Sequence, residues 1–134
     1  MHTVLMIDDD RVLLTGWKIR LCASGFAVCT AADGMTGLEL ARGHHPDVIL
    51  LDVRMQGMDG FEVCRALKAD PNLAAIPVVF MSANVIEEAR RQAIDAGAAD
   101  FLPKPLAARH VLAVLEFVLT GSTGSIVKEG TQYG

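Results

Sequence analysis

Four consecutive apolar residues, Val48-Ile49-Leu50-Leu51, lie between Asp47 and Asp52, and this run sets the strongest limit on the fold. A short run that is apolar at every position is typical of a strand buried on both faces, as in a parallel sheet. Four more short apolar runs alternate with stretches of helical periodicity along the chain. We therefore expect an α/β fold in which five parallel strands form one sheet with helices on both faces.

The same pattern assigns each strand and helix to a segment. The predicted strands are 4–7, 26–30, 48–51, 77–81 and 101–102, and the predicted helices cover 13–21, the surroundings of 38–41, 61–67, 86–96 and 106–119. With 134 residues the chain has room for a single domain, which we place at 1–120. After Thr120 the sequence turns to glycine, serine and threonine, so 121–134 is predicted to be a flexible tail or the start of a linker.

Composition excludes several other classes of protein. An apolar content of 51% argues against a disordered chain, and a net charge of −4 argues against nucleic acid as a partner. No segment approaches the roughly 20 apolar residues that span a bilayer, and the N-terminus lacks the features of a signal peptide. Three widely spaced cysteines, Cys22, Cys29 and Cys64, fit buried thiols in a reducing compartment. We therefore expect a cytoplasmic domain without a membrane partner.

Polar side chains collect where the predicted strands end. Asp8 and Asp9 follow the first strand, Asp52 follows the third, Ser82 follows the fourth and Lys104 comes just after the fifth. In an open parallel sheet the carboxyl ends of the strands lie at one edge, which is where such folds bind ligands. The sequence therefore predicts that three carboxylates, a hydroxyl and an ammonium group share one crevice.

This set of groups suits phosphoryl transfer. Three neighbouring carboxylates repel each other unless a cation joins them, and ligands that are all oxygen select a hard ion such as Mg²⁺, with Mn²⁺ as an alternative. A cation, a lysine and a hydroxyl can neutralise and orient the oxygens of a phosphoryl group. One carboxylate can then act as the nucleophile and form an aspartyl phosphate.

These segments, in this order and spacing, resemble the receiver domains of bacterial two-component response regulators, the CheY-like superfamily, over about 3–119. The matching text is Val4-Leu5-Met6-Ile7-Asp8-Asp9-Asp10, Val48-Ile49-Leu50-Leu51-Asp52, Met58-Asp59-Gly60, Pro77-Val78-Val79-Phe80-Met81-Ser82-Ala83 and Phe101-Leu102-Pro103-Lys104-Pro105. The resemblance implies the flavodoxin-like strand order 2-1-3-4-5. It also implies a signalling switch, whose catalysis is limited to its own phosphorylation and dephosphorylation.

By the same resemblance, Asp52 is the phosphoacceptor, which takes its phosphoryl group from a phosphohistidine. The donor would be a sensor histidine kinase or a histidine phosphotransfer protein. Mg²⁺ would be bound by Asp9, by Asp52 and by the backbone carbonyl of Arg54, with Asp8 acting through a metal-bound water.

The resemblance assigns the remaining site residues to phosphoryl binding and to the switch. Lys104 would contact the phosphoryl group, and the bond from Lys104 to Pro105 is expected to be cis. Ser82 and Phe101 would move together on phosphorylation and alter the surface formed by the fourth helix, fifth strand and fifth helix. That surface would bind a downstream effector or a second copy of the chain.

One departure from the family pattern lies in the loop after the phosphoacceptor. The family often has proline after the methionine at the position of Met55, whereas this chain has Gln56. We expect a less rigid loop, with the chemistry of the site unaffected.

Three alternative functions use the same kind of sheet. A phosphatase with an aspartyl nucleophile would carry that nucleophile after the first strand, and this chain has no room for the cap domain that shapes its substrate pocket. A flavodoxin-like electron carrier would need hydroxyls and glycines after the first strand, since Asp8 and Asp9 would repel a flavin phosphate. The third alternative is a constitutive protein-binding module of the receiver type that phosphorylation does not regulate.

Overall fold

The computed structural model describes residues 1–83 and 87–121, and for 87–89 it describes the backbone alone. The strands are β1 Thr3–Ile7, β2 Ala27–Ala31, β3 Val48–Asp52, β4 Val78–Ser82 and β5 Asp100–Pro103, and the helices are α1 Arg11–Ala23, α2 Gly34–His44, α3 Gly60–Ala69, α4 Glu87–Asp95 and α5 Ala108–Thr120. All neighbouring strands are parallel, in the order β2-β1-β3-β4-β5. The predicted sheet, its strand order and the single domain are therefore confirmed.

The element boundaries differ slightly from the sequence prediction. Strand β5, Asp100–Pro103, is longer than the predicted pair of residues. Helix α5 begins at Ala108, two residues later than predicted, because Ala107 has an extended backbone with φ −99° and ψ 133°. Residue 86, where the fourth helix was predicted to begin, lies outside the described residues. The same is true of 122–134, nearly all of the predicted tail.

The sheet separates two apolar layers. Side chains of α2, α3 and α4 pack on one face, where Ile49 and Leu51 contribute from β3. Side chains of α1 and α5 pack on the other face, where Val48 and Leu50 contribute. Every residue of β3 and β4 is buried, as expected for central parallel strands with both faces covered. The layers fix the sheet, so the loops at its carboxyl edge start from rigid strand ends.

Aspartate side chains cap the N-termini of three helices at that edge. Asp10, Asp33 and Asp59 accept hydrogen bonds from backbone N–H groups in the first turns of α1, α2 and α3. Glu62 completes a capping box with Asp59, because its side chain accepts from the Asp59 N–H at 3.1 Å. These caps place helix N-termini beside the strand ends that carry the predicted site residues.

Across 1–83 and 87–121, none of the helices is both long enough and apolar enough to span a membrane.

Candidate functional site

The carboxyl edge of the sheet brings three carboxylates together. Asp8 follows β1 directly, Asp9 is next to it, and Asp52 is the last residue of the neighbouring strand β3. One oxygen from each carboxylate lies within 4.8 Å of the other two. Asp8 is fully buried and Asp52 is 6% exposed, whereas Asp9 is exposed to solvent. The cluster is thus open on the side of Asp9, from which an ion or a phosphoryl group can enter.

Lys104 joins two of these carboxylates, although it follows β5 on the far side of β4. Its Nζ donates to Asp8 Oδ2 at 2.7 Å and lies 3.0 Å from Asp52 Oδ1. The other oxygen of Asp8, Oδ1, accepts from the backbone N–H of Asp10 at 2.9 Å. Asp8 is therefore held at both oxygens, and one ammonium group offsets part of the negative charge of the cluster.

The charges of the cluster change the acidity of its members. The pKa of Asp52 is raised from 3.8 to about 6. Burial is the largest cause, the negative charge of Asp8 acts in the same direction, and the hydrogen bond from Lys104 opposes both effects. Burial alone would lower the pKa of Lys104, but hydrogen bonds and attraction from Asp8 and Asp52 outweigh it and raise that pKa. Lys104 is therefore a charged ammonium group at neutral pH, while burial disfavours the ionised form of Asp52.

A loop of seven residues, 53–59, forms one wall of the site. Its first end is held by the Val53 N–H, which donates to Met81 O at 3.1 Å, and its second end by the Gly60 N–H, which donates to Val53 O at 2.9 Å. A cavity of about 480 Å³ opens beside the carboxylates, lined by Asp9, Val53, Arg54, Met55, Gln56 and Asp59. Arg54, whose carbonyl was predicted as a metal ligand, is thus placed at the entrance to the carboxylate cluster.

Gly60 lies against the backbone of the predicted phosphoacceptor, Asp52. A Cβ atom built on Gly60 would overlap the backbone carbonyl oxygen of Asp52 and lie 2.9 Å from the Cα of Val53. The sequence did not predict this contact. The Met-Asp-Gly segment was the available signal, but only the folded chain shows which backbone the glycine meets.

The remaining predicted residues lie at this edge or in the core below it. Ser82 ends β4 and is 3% exposed, and its carbonyl accepts from the Lys104 N–H at 2.9 Å. The peptide bond from Lys104 to Pro105 is cis. Phe101 is 4% exposed and belongs to the apolar layer formed by α2, α3 and α4, beside Phe80 of β4. Ser82 and Lys104 therefore lie at the site, whereas Phe101 lies in the core beneath α4.

The donor set fits a small divalent cation. Its side-chain oxygens come from Asp8, Asp9 and Asp52, all within 4.8 Å of each other, with no sulfur or imidazole among them. Oxygen ligands of this type suit Mg²⁺, which keeps several waters and needs only one or two carboxylates from a protein. The exposed position of Asp9 leaves room for those waters.

Comparison with known proteins gives a consistent match. A family model described as "Response regulator receiver domain" matches residues 4–116. Response regulator PleD of Caulobacter vibrioides is 46% identical over 103 residues, which cover 77% of this chain and 23% of PleD. Response regulator MprA of Mycobacterium sp. is 36% identical over 116 residues, which cover 87% of this chain and 50% of MprA. The chain thus spans between about a quarter and a half of these relatives.

Solved structures show the same fold over nearly their whole length. The chemotaxis protein CheY4 of Vibrio cholerae superimposes with a TM-score of 0.85 at 31% identity, covering 89% of this chain and 99% of CheY4. The receiver domain of the sensor histidine kinase PA1611 of Pseudomonas aeruginosa has a TM-score of 0.82 at 28% identity, covering 90% of this chain and 98% of that domain. The latter structure is described as having a magnesium ion coordinated in the active site cleft.

Proposed function

This chain belongs to the response regulator receiver domain family. From that membership we propose that Asp52 is the residue that becomes phosphorylated. Receiver domains are the phosphoacceptors of two-component signalling and work as switches, not as conventional enzymes. The observation that carries the assignment is the position of Asp52. It ends the central strand β3, is nearly buried, and has the Lys104 ammonium group 3.0 Å from its Oδ1. The comparisons do not favour the alternative of a constitutive binding module.

The proposal includes a divalent cation, Mg²⁺ or alternatively Mn²⁺. Asp9, Asp52 and the backbone carbonyl of Arg54 would hold it, and Asp8 would act through a bound water. When bound, such a cation would neutralise part of the carboxylate charge and part of the negative charge of the incoming phosphoryl group. Support comes from the oxygen-only donor set and from the magnesium described for the PA1611 receiver domain.

Phosphoryl transfer then depends on three side chains. The ionised Asp52 carboxylate attacks phosphorus, the N–P bond of the phosphohistidine breaks, and its electron pair leaves with the imidazole. Lys104 lies where its ammonium can move from Asp52 Oδ1 to a phosphoryl oxygen while its contact with Asp8 anchors it. The Ser82 hydroxyl would take a second phosphoryl oxygen. Catalysis by the chain would be limited to this reaction and to its own dephosphorylation.

Signalling requires that the phosphoryl group changes a surface. We assign this change to a coupled movement of Ser82 and Phe101, which lie on adjacent strands at and beneath the site. The surface formed by α4, β5 and α5 would then bind an effector or a second copy of the chain. Upstream, the donor would be a sensor histidine kinase or a histidine phosphotransfer protein.

The proposed domain extends over 1–120, with 121–134 as a tail or the start of a linker. The curated relatives are two to four times as long as the matched segment, which fits a linker to a further domain. We place the domain in the cytoplasm, as the sequence predicts. The three cysteines are free thiols, but the expectation that they are buried holds only for Cys64 and is wrong for Cys22, which is exposed.

The proposal is tested by intact mass spectrometry after incubation with acetyl phosphate and Mg²⁺. We expect one phosphoryl adduct, which disappears in Asp52→Ala and in the presence of a chelator. Asp33→Asn is the matched control, because it changes a carboxylate at the same edge of the sheet that does not line the cavity, and asparagine can still cap α2; it should keep the adduct. An adduct that persists in Asp52→Ala would refute the assignment of the acceptor. Absence of both adduct and Mg²⁺ binding in the unsubstituted protein would favour the constitutive binding module.

A further inference from the structure

The first residue of α2, Gly34, is in close contact with the loop that forms the wall of the site. A Cβ atom built on Gly34 would lie 2.7 Å from Val63 Cγ2, 3.2 Å from Met58 Sδ and 3.3 Å from Met58 Cβ. All three distances are shorter than ordinary carbon contacts. The hydrogen of Gly34 therefore leaves a space that the Met58 side chain fills, between the start of α2 and the start of α3.

Met58 is an anchor of that loop on the side away from the cavity. Its side chain packs against the apolar layer of α2, α3 and α4, and it does not line the cavity beside the carboxylates. Two residues later, Gly60 touches the carbonyl of Asp52 and donates its N–H to Val53 O at 2.9 Å. Four residues earlier in the same loop is Arg54. The contact of Met58 with Gly34 thus lies between Arg54, whose carbonyl is the proposed ligand, and Gly60, whose N–H fixes the end of the loop.

We propose that Gly34 and Met58 are positioning residues for the divalent cation: α2 holds the loop so that the backbone carbonyl of Arg54 faces the carboxylate cluster. This inference rests on the proposed function, since it concerns the cation of the same site. It adds two residues that carry no proposed ligand atom: Gly34, on helix α2, which contributes no ligand, and Met58, in the loop 53–59.

An added methyl group at Gly34 would press on both α3 and the loop. Val63 is β-branched and fully buried, so its Cγ2 has little freedom to turn away. Met58 is only half-buried, but its Cβ is already 3.3 Å from the position of the new atom. Rotation of the flexible thioether cannot relieve that contact, and the backbone of the loop must shift.

The experiment compares Gly34→Ala with a matched substitution in the same helix, Gly43→Ala. A Cβ on Gly43 meets no atom within 4 Å, so this control adds the same methyl group in open space. Alanine is the better helix former at both positions, which removes helix propensity as an explanation of any loss. Mg²⁺ affinity is measured by titration calorimetry well below the unfolding temperature. We expect binding about tenfold weaker in Gly34→Ala, the size typical of residues that support metal ligands, and unchanged in Gly43→Ala.

A second readout needs no metal. In ¹H–¹⁵N spectra of the metal-free proteins, the amide signals of 53–60 should move in Gly34→Ala and stay in place in Gly43→Ala. Unchanged loop signals together with unchanged Mg²⁺ affinity in a folded Gly34→Ala protein would overturn the inference.

A double-mutant cycle tests whether Met58 transmits the effect. Met58→Gly alone should also weaken Mg²⁺ binding, because the loop loses its anchor. Since Met58→Gly removes both atoms of Met58 that the new methyl group would meet, adding Gly34→Ala to it should weaken binding less than Gly34→Ala does in the unsubstituted protein. Fully additive losses would show that Gly34 does not act through Met58 and would overturn the inference. Failure of the proposed function is distinguishable, because it would appear in the unsubstituted protein as absence of the adduct on Asp52.

Discussion

Asp52 shows how one buried carboxylate combines reactivity with a cost in stability. Its surroundings remove it from water and place Asp8 beside it, so its pKa rises to about 6 even though Lys104 donates a hydrogen bond to it. A carboxyl group whose pKa is higher in the folded protein than in the unfolded chain favours folding only while it is protonated. Above that pKa the ionised Asp52 opposes folding, and it is this ionised form that reaction with phosphorus requires.

Asp52→Asn should therefore stabilise the metal-free protein at about pH 7.5 and give little or no gain at about pH 3.5. The pKa of Asp52 is near 3.8 in the unfolded chain and about 6 in the folded protein. Protonation of Asp52 therefore favours folding fully below pH 3.8, and this contribution is lost as the pH rises through about 6. The shift corresponds to roughly 1–3 kcal/mol. Urea denaturation with a chelator present, at both pH values, measures the difference.

Asp95→Asn is the control for that experiment, because Asp95 is an exposed aspartate at the end of α4. It should change the free energy of unfolding little at either pH. An equal gain from Asp52→Asn at both pH values would show that ionisation of Asp52 is not what opposes folding.

The helices differ in how their first turns are capped. Asp10, Asp33 and Asp59 cap α1, α2 and α3, and each cap also fixes a loop at the carboxyl edge of the sheet. Helix α5 begins after Ala107, which has an extended backbone but no side chain able to accept a hydrogen bond. At this position the helix relies on its packing against β3 and β5, where Val111, Val114 and Leu115 are buried.

Ala107→Ser should raise the free energy of unfolding by about 1 kcal/mol, because the hydroxyl can accept from an N–H of the first turn. Ala108→Ser is the matched control: the same change lies one residue inside α5, where serine is a poorer helix former than alanine and should give no gain. Chemical denaturation of both variants checks this, and an equal gain from both would contradict the capping explanation.

At the scale of the molecule, α4 presents two different flanks. Gln92 and Asp95 line a second cavity, of about 380 Å³, shared with residues of α3. Ile94 does not line that cavity, lies on the other flank of the helix and is 69% exposed. This flank belongs to the proposed signalling surface of α4, β5 and α5, and an exposed isoleucine there is available for contact with a partner.

Phosphorylation should strengthen self-association or partner binding through this surface, and Ile94→Glu should weaken the phosphorylated complex by placing a charge in it. Met35→Glu is the control, because Met35 is also exposed, at 59%, but belongs to α2. Sedimentation velocity with and without acetyl phosphate and Mg²⁺ measures the assembly. An unchanged monomer that also binds no candidate kinase or effector would count against this surface.

Much of the fold and of the candidate site could be predicted from the amino-acid sequence because the signals are local. Each strand is a short apolar run, and the run Val48-Ile49-Leu50-Leu51 already indicates burial on both faces. Once the strands are parallel, their carboxyl ends share an edge, so Asp8, Asp9 and Asp52 must lie close together. The order 2-1-3-4-5 came from the family resemblance, since periodicity does not say which strands are neighbours.

Contacts between distant segments were decided only by the tertiary structure. Lys104 joins Asp8 across 96 positions of the chain, and its bridge to a second carboxylate depends on how far β5 extends beside β4. The contacts of Gly34 with Met58, and of Gly60 with the carbonyl of Asp52, have no local signature, because a glycine in a sequence does not indicate which atoms approach it. Local patterns determine where the chain forms strands, helices and turns, whereas packing between these elements determines distances at the site, and the pKa of Asp52 depends on those distances.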